Sequence, residues 1–196
     1  MNTGINSPFG VQCQLLEEIA RKNTEVFHVI ETLSRFNLNN AYVCAGCIFQ
    51  TVWNYHSGFD VNHGINDIDI IYFDGSDLSS EAESKTIDMI SKFYSGISYK
   101  LDINNEARVH LWYEKEFGFK IPPYSSSEHA INTWMSTSAI GVTYNKNKLQ
   151  VYAPYGLNDM FGKIIRPNKL LLTKEQYEYK AKKWQSTWTD ATILDW

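Results

Sequence analysis

The chain has 196 residues, 43% hydrophobic and 20% charged, a length and balance that support one sizeable core and exclude an intrinsically disordered polymer. A formal charge of -4 argues against a surface that coats nucleic-acid backbone, which draws on clustered Lys and Arg. Three Cys are too few for a disulfide framework, no secretion signal opens the chain and no run reaches the roughly 18 apolar residues of a membrane span, so a reduced cytoplasm is the expected location.

Leu15, Leu16, Ile19, Ala20, Phe27, Ile30, Leu33 and Phe36 recur at helical spacing, with a break at Asn23 and Thr24. Residues 1–36 therefore read as a helical N-terminal segment of one domain spanning 1–196. Asn37 to Asn40 is rich in turn formers, and Ala41-Tyr42-Val43 then reads as a short buried strand entering Gly46 and a helix to about Tyr55. Ser57 to Asn66 carries two Gly among polar residues and reads as an exposed loop leading into a strand from Asp67 to Asp74.

Asp77 to Ser80 starts a helix with Ile87, Ile90 and Phe93 on its apolar side, and Ile97 to Ile103 alternates as a strand does. Asn105 to Phe117 reads as a helix, Pro122-Pro123 as a break, and Ser125 with Glu128 as a capping box for a short helix. Thr137 to Tyr144 and Lys148 to Ala153 flank Asn145-Lys146-Asn147 as a hairpin. A helical turn after Pro154, then Arg166-Pro167-Asn168 and a last helix around Thr173 to Trp184, complete the chain.

Strand side chains alternate, so Asp67 and Asp69 project to one face with Cα atoms about 7 Å apart. Such a pair repels itself unless a cation intervenes. Hard oxygen ligands suit Mg²⁺ or Mn²⁺, which also bridge substrate phosphates, and two cations roughly 4 Å apart clamp an in-line displacement at phosphorus. Asp-x-Asp alone is common on solvated faces. Here the run Ile70-Ile71-Tyr72-Phe73 follows it and marks a buried strand, which brings the acids near the core. The upstream strand, Gly46 turn and helix offer backbone N–H groups to a phosphate.

The ordered series Ala45-Gly46, Thr51-Val52-Trp53, Asn66-Asp67-Ile68-Asp69, Asn105-Glu106-Ala107-Arg108-Val109-His110, Ala153-Pro154-Tyr155-Gly156-Leu157 and Arg166-Pro167-Asn168 resembles a known family. That family is the bacterial nucleotidyltransferase-like family of the polymerase-beta-type superfamily, and the resemblance runs from about Asn37 to Trp184. It implies an α/β (α+β) fold with a mixed central sheet flanked by helices. It also implies an enzyme moving a nucleoside monophosphate from an NTP to an acceptor the sequence does not name. Asp67 and Asp69 would be catalytic and metal-holding residues under Mg²⁺ or Mn²⁺, with Gly46 and Cys47 at the nucleotide. A third carboxylate from a neighbouring strand is implied as well. Asp102 is the candidate, with an ordinary surface strand residue as the other reading. Gly46 and Asp67 stand further apart than in the wider superfamily, in keeping with this family's inserted loop, and Glu106 replaces the family's usual Gln.

Arg108 and His110 follow the proposed third strand. Arg108 is a candidate triphosphate ligand and His110 a candidate substrate contact or proton shuttle, or else Arg108 pairs with Glu106 or Glu114. Cys44-Ala45-Gly46-Cys47 has zinc or redox spacing, but with no second such pair it reads as buried packing thiols. The six Trp read as packing, and Lys180, Lys182 and Lys183 as a solvated face. Two other functions share these acids. One is a non-catalytic nucleotide-binding module; the other is a nucleotide-sugar glycosyltransferase, disfavoured because the apolar run there ordinarily precedes the acids.

Overall fold

Two helices, α1 (Phe9–Ala20) and α2 (Thr24–Thr32), open the described part of the chain, residues 3–196, in this computed structural model. Residues 1 and 2 of the expected helical segment lie outside it. Asn23 separates the helices because its side chain accepts the Val26 N–H and so caps α2. A 3₁₀ turn (Leu33–Phe36) ends at Asn37, whose positive φ of 51° turns the chain into the sheet.

The strands and helices that follow are β1 (Tyr42–Cys44), α3 (Gly46–Ser57), β2 (Asp67–Tyr72), α4 (Ser80–Phe93) and β3 (Lys100–Asn105). Next come α5 (Val109–Phe117), α6 (Ser127–Ile131), β4 (Gly141–Asn145), β5 (Lys148–Tyr152) and α7 (Asn158–Phe161). The chain closes with β6 (Ile164–Ile165), α8 (Lys174–Thr187) and β7 (Thr192–Ile193). Five strands form one sheet in the order β3-β2-β1-β4-β5, with β2 and β3 parallel and the other pairs antiparallel. This is the expected mixed sheet flanked by helices. A separate parallel pair, β6 with β7, flanks α8 in the chain.

The two faces of the sheet differ in chemistry. Ile68, Ile70 and Tyr72 of β2 join Val43, Val142 and Ile103 in the main core with Val26, Ile30, Phe49 and Trp53. Trp53 is fully buried and donates its ring N–H to the Met160 carbonyl at 2.8 Å. Alternation sends Asp67, Asp69 and Ile71 to the opposite face. There Cys44, Ile71, Ile131 and Ala139 form a second, smaller cluster.

Several boundaries depart from the sequence reading. β3 starts at Lys100 rather than Ile97 and runs to Asn105, while α5 starts only at Val109. Asn105 is extended because its polar groups are used locally: its N–H donates to Glu83, and its amide both accepts the Asp74 N–H and donates to the Asp74 carbonyl. The cap of α6 is Ser126, not Ser125, and Glu128 turns away to accept from the Tyr42 hydroxyl at 2.6 Å and the Asn40 amide. The hairpin turn is Lys146-Asn147, both with positive φ, as a two-residue type I′ turn requires.

Candidate active site

Strand register builds the acidic floor. Asp69 lies opposite Cys44 on β1 and Asp102 on β3, and Asp67 lies opposite Lys100. In-register residues of neighbouring strands face the same side about 4.8 Å apart, so Asp67, Asp69 and Asp102 share one face. The Asp102 carboxylate accepts from the Asn104 amide at 3.3 Å. None of the three acids is in an ion pair among the described residues.

The turn before α3 brings backbone to this floor. Ala45 has φ 54° and ψ -119°, a conformation costly for a residue with a Cβ, and its N–H is held by the Ile140 carbonyl at 3.1 Å. Gly46 then opens α3 with its N–H directed at the Asp69 carboxylate. A Cβ on Gly46 would lie 3.6 Å from Asp69 Oδ2 and 3.5 Å from the Gln50 amide, ordinary contacts that leave the fold undisturbed. Gly46→Ala is therefore expected to keep or slightly raise thermal stability, since Ala favours the helix. If the turn holds a nucleotide, as the resemblance implies, crowding the approach to Asp69 should weaken that binding at least about tenfold by calorimetry. Equal affinity in the variant would remove this turn from the binding site.

A cleft of about 530 Å³ stands over Asp69 and Gly46. Its walls come from three stretches of chain: the β1–α3 turn, residues 104–138, and α8 with the loop before it. Aromatic rings recur on all three, among them Phe49, Trp112, Tyr113, Tyr124, Trp134 and Trp184. Of the six Trp, three thus border the cleft, whereas Trp53 and Trp188 are packed inside with bonded ring N–H groups. Asp67 and Asp102 stand just beyond the cleft lining on the same sheet face.

The electrostatics are those of crowded acids. Burial, then the charges of Asp67 and Asp102, push the Asp69 carboxyl up to about 7, while the Gly46 N–H and Lys180 act in the opposite sense. Glu106, 5% exposed, is pushed up to about 8 by burial and then by Asp69. Lys180 is exposed overall but borders the cleft, where desolvation lowers its ammonium while Asp69 raises it. Sequence reading placed Lys180 on a solvated face. Asp69, whose charge acts on it, lies on a strand more than a hundred residues earlier, so no local spacing signals that the two meet at one cleft.

Other candidates fall elsewhere. Arg108 is tied to Glu83 by an ion pair and donates to the Leu78 carbonyl at 2.9 Å, so its guanidinium serves the α4 side and not the cleft. Its partner is neither Glu106 nor Glu114. His110 is half-buried outside the cleft lining, its Nδ1 without a hydrogen-bond partner among the described residues. Cys47 points into the main core with its thiol on the Cys44 carbonyl, and burial raises both thiols well above their ordinary range. Any role of Cys47 at a nucleotide rests on its backbone. Among the described residues, no three His, Cys, Asp or Glu side chains are already gathered to hold a metal ion. The donors that do fit a hard cation are Asp67 and Asp69, carboxyl oxygens on one face that are in no ion pair among the described residues. Mg²⁺ typically takes one or two carboxylates, waters and substrate phosphates rather than a closed protein cage.

A family model described as nucleotidyltransferase matches residues 31–193, from within α2 through β7. No curated protein sequence matches the chain. Among solved structures, an NMR structure reported to reveal a CCA-adding enzyme head domain is similar at a TM-score of 0.73 and 21% identity. The match covers 93% of this chain and 96% of that one, a likeness of fold.

Proposed function

The chain belongs to this nucleotidyltransferase family, and from that premise we propose that it moves a nucleoside monophosphate from an NTP to an acceptor hydroxyl, with Mg²⁺ or Mn²⁺ at Asp67 and Asp69. The observation that carries the reading is the row of register placing Asp102 opposite Asp69, beside Asp67 and under the α3 N-terminus. When bound, the cation would neutralise charge on the phosphate oxygens and make the acceptor hydroxyl more acidic.

The protein groups then have distinct tasks. Asp102 accepts the proton of the acceptor hydroxyl as its oxygen bonds to the α-phosphorus, and the bond to the leaving pyrophosphate breaks. The N–H groups opening α3 and the Lys180 ammonium hold phosphate oxygens, the role that the sequence reading offered to Arg108. The aromatic walls exclude water, which strengthens each of these interactions. The chain is acidic overall, which disfavours a nucleic-acid backbone and favours a small acceptor.

The test uses each NTP labelled at the α-phosphate, with Mn²⁺ and a small-molecule extract as the source of acceptor. The proposal expects pyrophosphate release with label moved to a new compound, both absent in the Asp67→Asn, Asp69→Asn variant. Label transfer that survives in that variant, or release of the γ-phosphate in place of pyrophosphate, would overturn it.

A further inference from the structure

Glu106 is a carboxyl without a counter-ion. It is 5% exposed, it lines the cleft, and no hydrogen bond or ion pair to its side chain is found among the described residues. The charge that acts on it is Asp69, of its own sign. The nearest cation in sequence, Arg108, is committed to Glu83. Lys180 faces Asp69 and Lys183. Burying a carboxyl with no partner is costly, and a protein that needed only a packed wall here would place an apolar group at this position.

The surroundings define what could compensate it. Tyr124 is buried and close enough for its phenol to be raised in part by Glu106, and Tyr113 and Trp112 continue the same wall to the surface. Aromatic faces carry negative quadrupole charge and attract organic cations, most strongly where water is excluded. A carboxyl that shares a cleft lining with aromatic rings therefore presents the same preference twice.

We propose that Glu106 with Tyr124, Tyr113 and Trp112 forms the acceptor subsite, and that the acceptor is a small hydroxyl-bearing organic amine whose ammonium binds Glu106. The assignment rests on the nucleotidyl-transfer reading above. The amine is a handle and not the nucleophile, because as an ammonium it has no free electron pair. The hydroxyl oxygen forms the new bond to the α-phosphorus, its proton passes to Asp102 and pyrophosphate leaves. Glu106 also lies within electrostatic reach of Asp69, which sets the handle near the floor where the hydroxyl must react.

The probes are tyramine and tyrosol, which share a phenol and chain length and differ in ammonium against hydroxyl. Each is titrated by calorimetry into the full chain with Mg²⁺ and a nonhydrolysable ATP analogue, and again without nucleotide. Tyramine is expected to bind the native protein about tenfold tighter than tyrosol, with that ratio falling to about one in Glu106→Gln. The affinity for the ATP analogue should stay within about twofold in both proteins, since its ligands are untouched. Trp112→Ala removes a ring at the cleft mouth without opening the core, so it reads the same wall should Glu106→Gln not fold; tyramine should weaken at least about threefold. An unchanged tyramine affinity in Trp112→Ala overturns the proposal. So does a native protein that does not prefer tyramine, or a preference that survives Glu106→Gln. A variant that changes only the ranking of nucleotides by base would assign the carboxyl to base reading and overturn the acceptor subsite. Failure of the parent reading shows separately, as an ATP analogue that does not bind the native protein, while the nucleotide-free titrations still decide the amine preference.

Discussion

Asp102→Asn is expected to lower kcat by about 10²–10⁴-fold while leaving NTP affinity within a few-fold, the signature of a proton acceptor acting in the transition state. The register gives the reason. Asp102 sits on β3 directly opposite Asp69, with its carboxylate steadied by the Asn104 amide and no cation paired to it among the described residues. Asn preserves that bond and the shape of the strand but cannot take a proton at neutral pH. The variant should therefore fold, bind and fail to turn over. Steady-state kinetics and a separate binding titration check it; equal losses in kcat and affinity would make Asp102 a binding residue, and no loss in either a bystander on the strand.

The second large effect is on stability with pH. In the metal-free protein, burial and like charge raise Asp69 from 3.8 to about 7 and Glu106 from 4.5 to about 8. The folded state thus holds protons that the unfolded chain has already released. Stability from these groups is fully present below about pH 4 and is lost as pH rises through 7 and 8. The full loss is on the order of 4–5 kcal/mol for each group at about 1.4 kcal/mol per unit of pKa. Urea unfolding of chelated protein between pH 5 and 8.5, about the window where these groups titrate, should show that decline. Asp69→Asn should make the decline shallower below about pH 7, and Glu106→Gln should make it shallower throughout and remove its part above about pH 7. Mn²⁺ should restore stability at pH 8 in the native protein and fail to do so in Asp69→Asn. A flat profile in the native protein contradicts the burial of these carboxyls.

What could be read from the sequence followed the range of the interactions involved. The β2 acids were legible because alternation and the following Ile70-Ile71-Tyr72 fix both their face and their depth. The α3 turn was legible through Gly46, and the hairpin through Lys146-Asn147 between two alternating strands. Placing Asp102 required only that β3 lie beside β2, which the family resemblance supplied. The ends of elements were less legible, since Asn105 looks like a helix start until its bonds to Asp74 and Glu83 are seen.

Approaches between distant segments were not legible at all. Arg108 finds Glu83 on α4, and Lys180 faces Asp69 from the last helix. The aromatic content of the chain did not distinguish core from cleft, because Trp53 and Trp112 look alike until one is sealed against Met160 and the other stands at the cleft mouth. Glu106 was noticed as a departure from its family's Gln, yet its isolation depends on where Arg108 goes.

Asp67 and Asp69 are proposed to hold a divalent cation together with the nucleotide. This joint binding is tested most directly by calorimetric titration of Mn²⁺ into the protein with a saturating nonhydrolysable NTP, comparing the native chain with Asp67→Asn, Asp69→Asn. The account predicts Mn²⁺ binding that the double variant weakens by at least about a hundredfold, or about 2.7 kcal/mol. Equal Mn²⁺ affinity in the two proteins would contradict it.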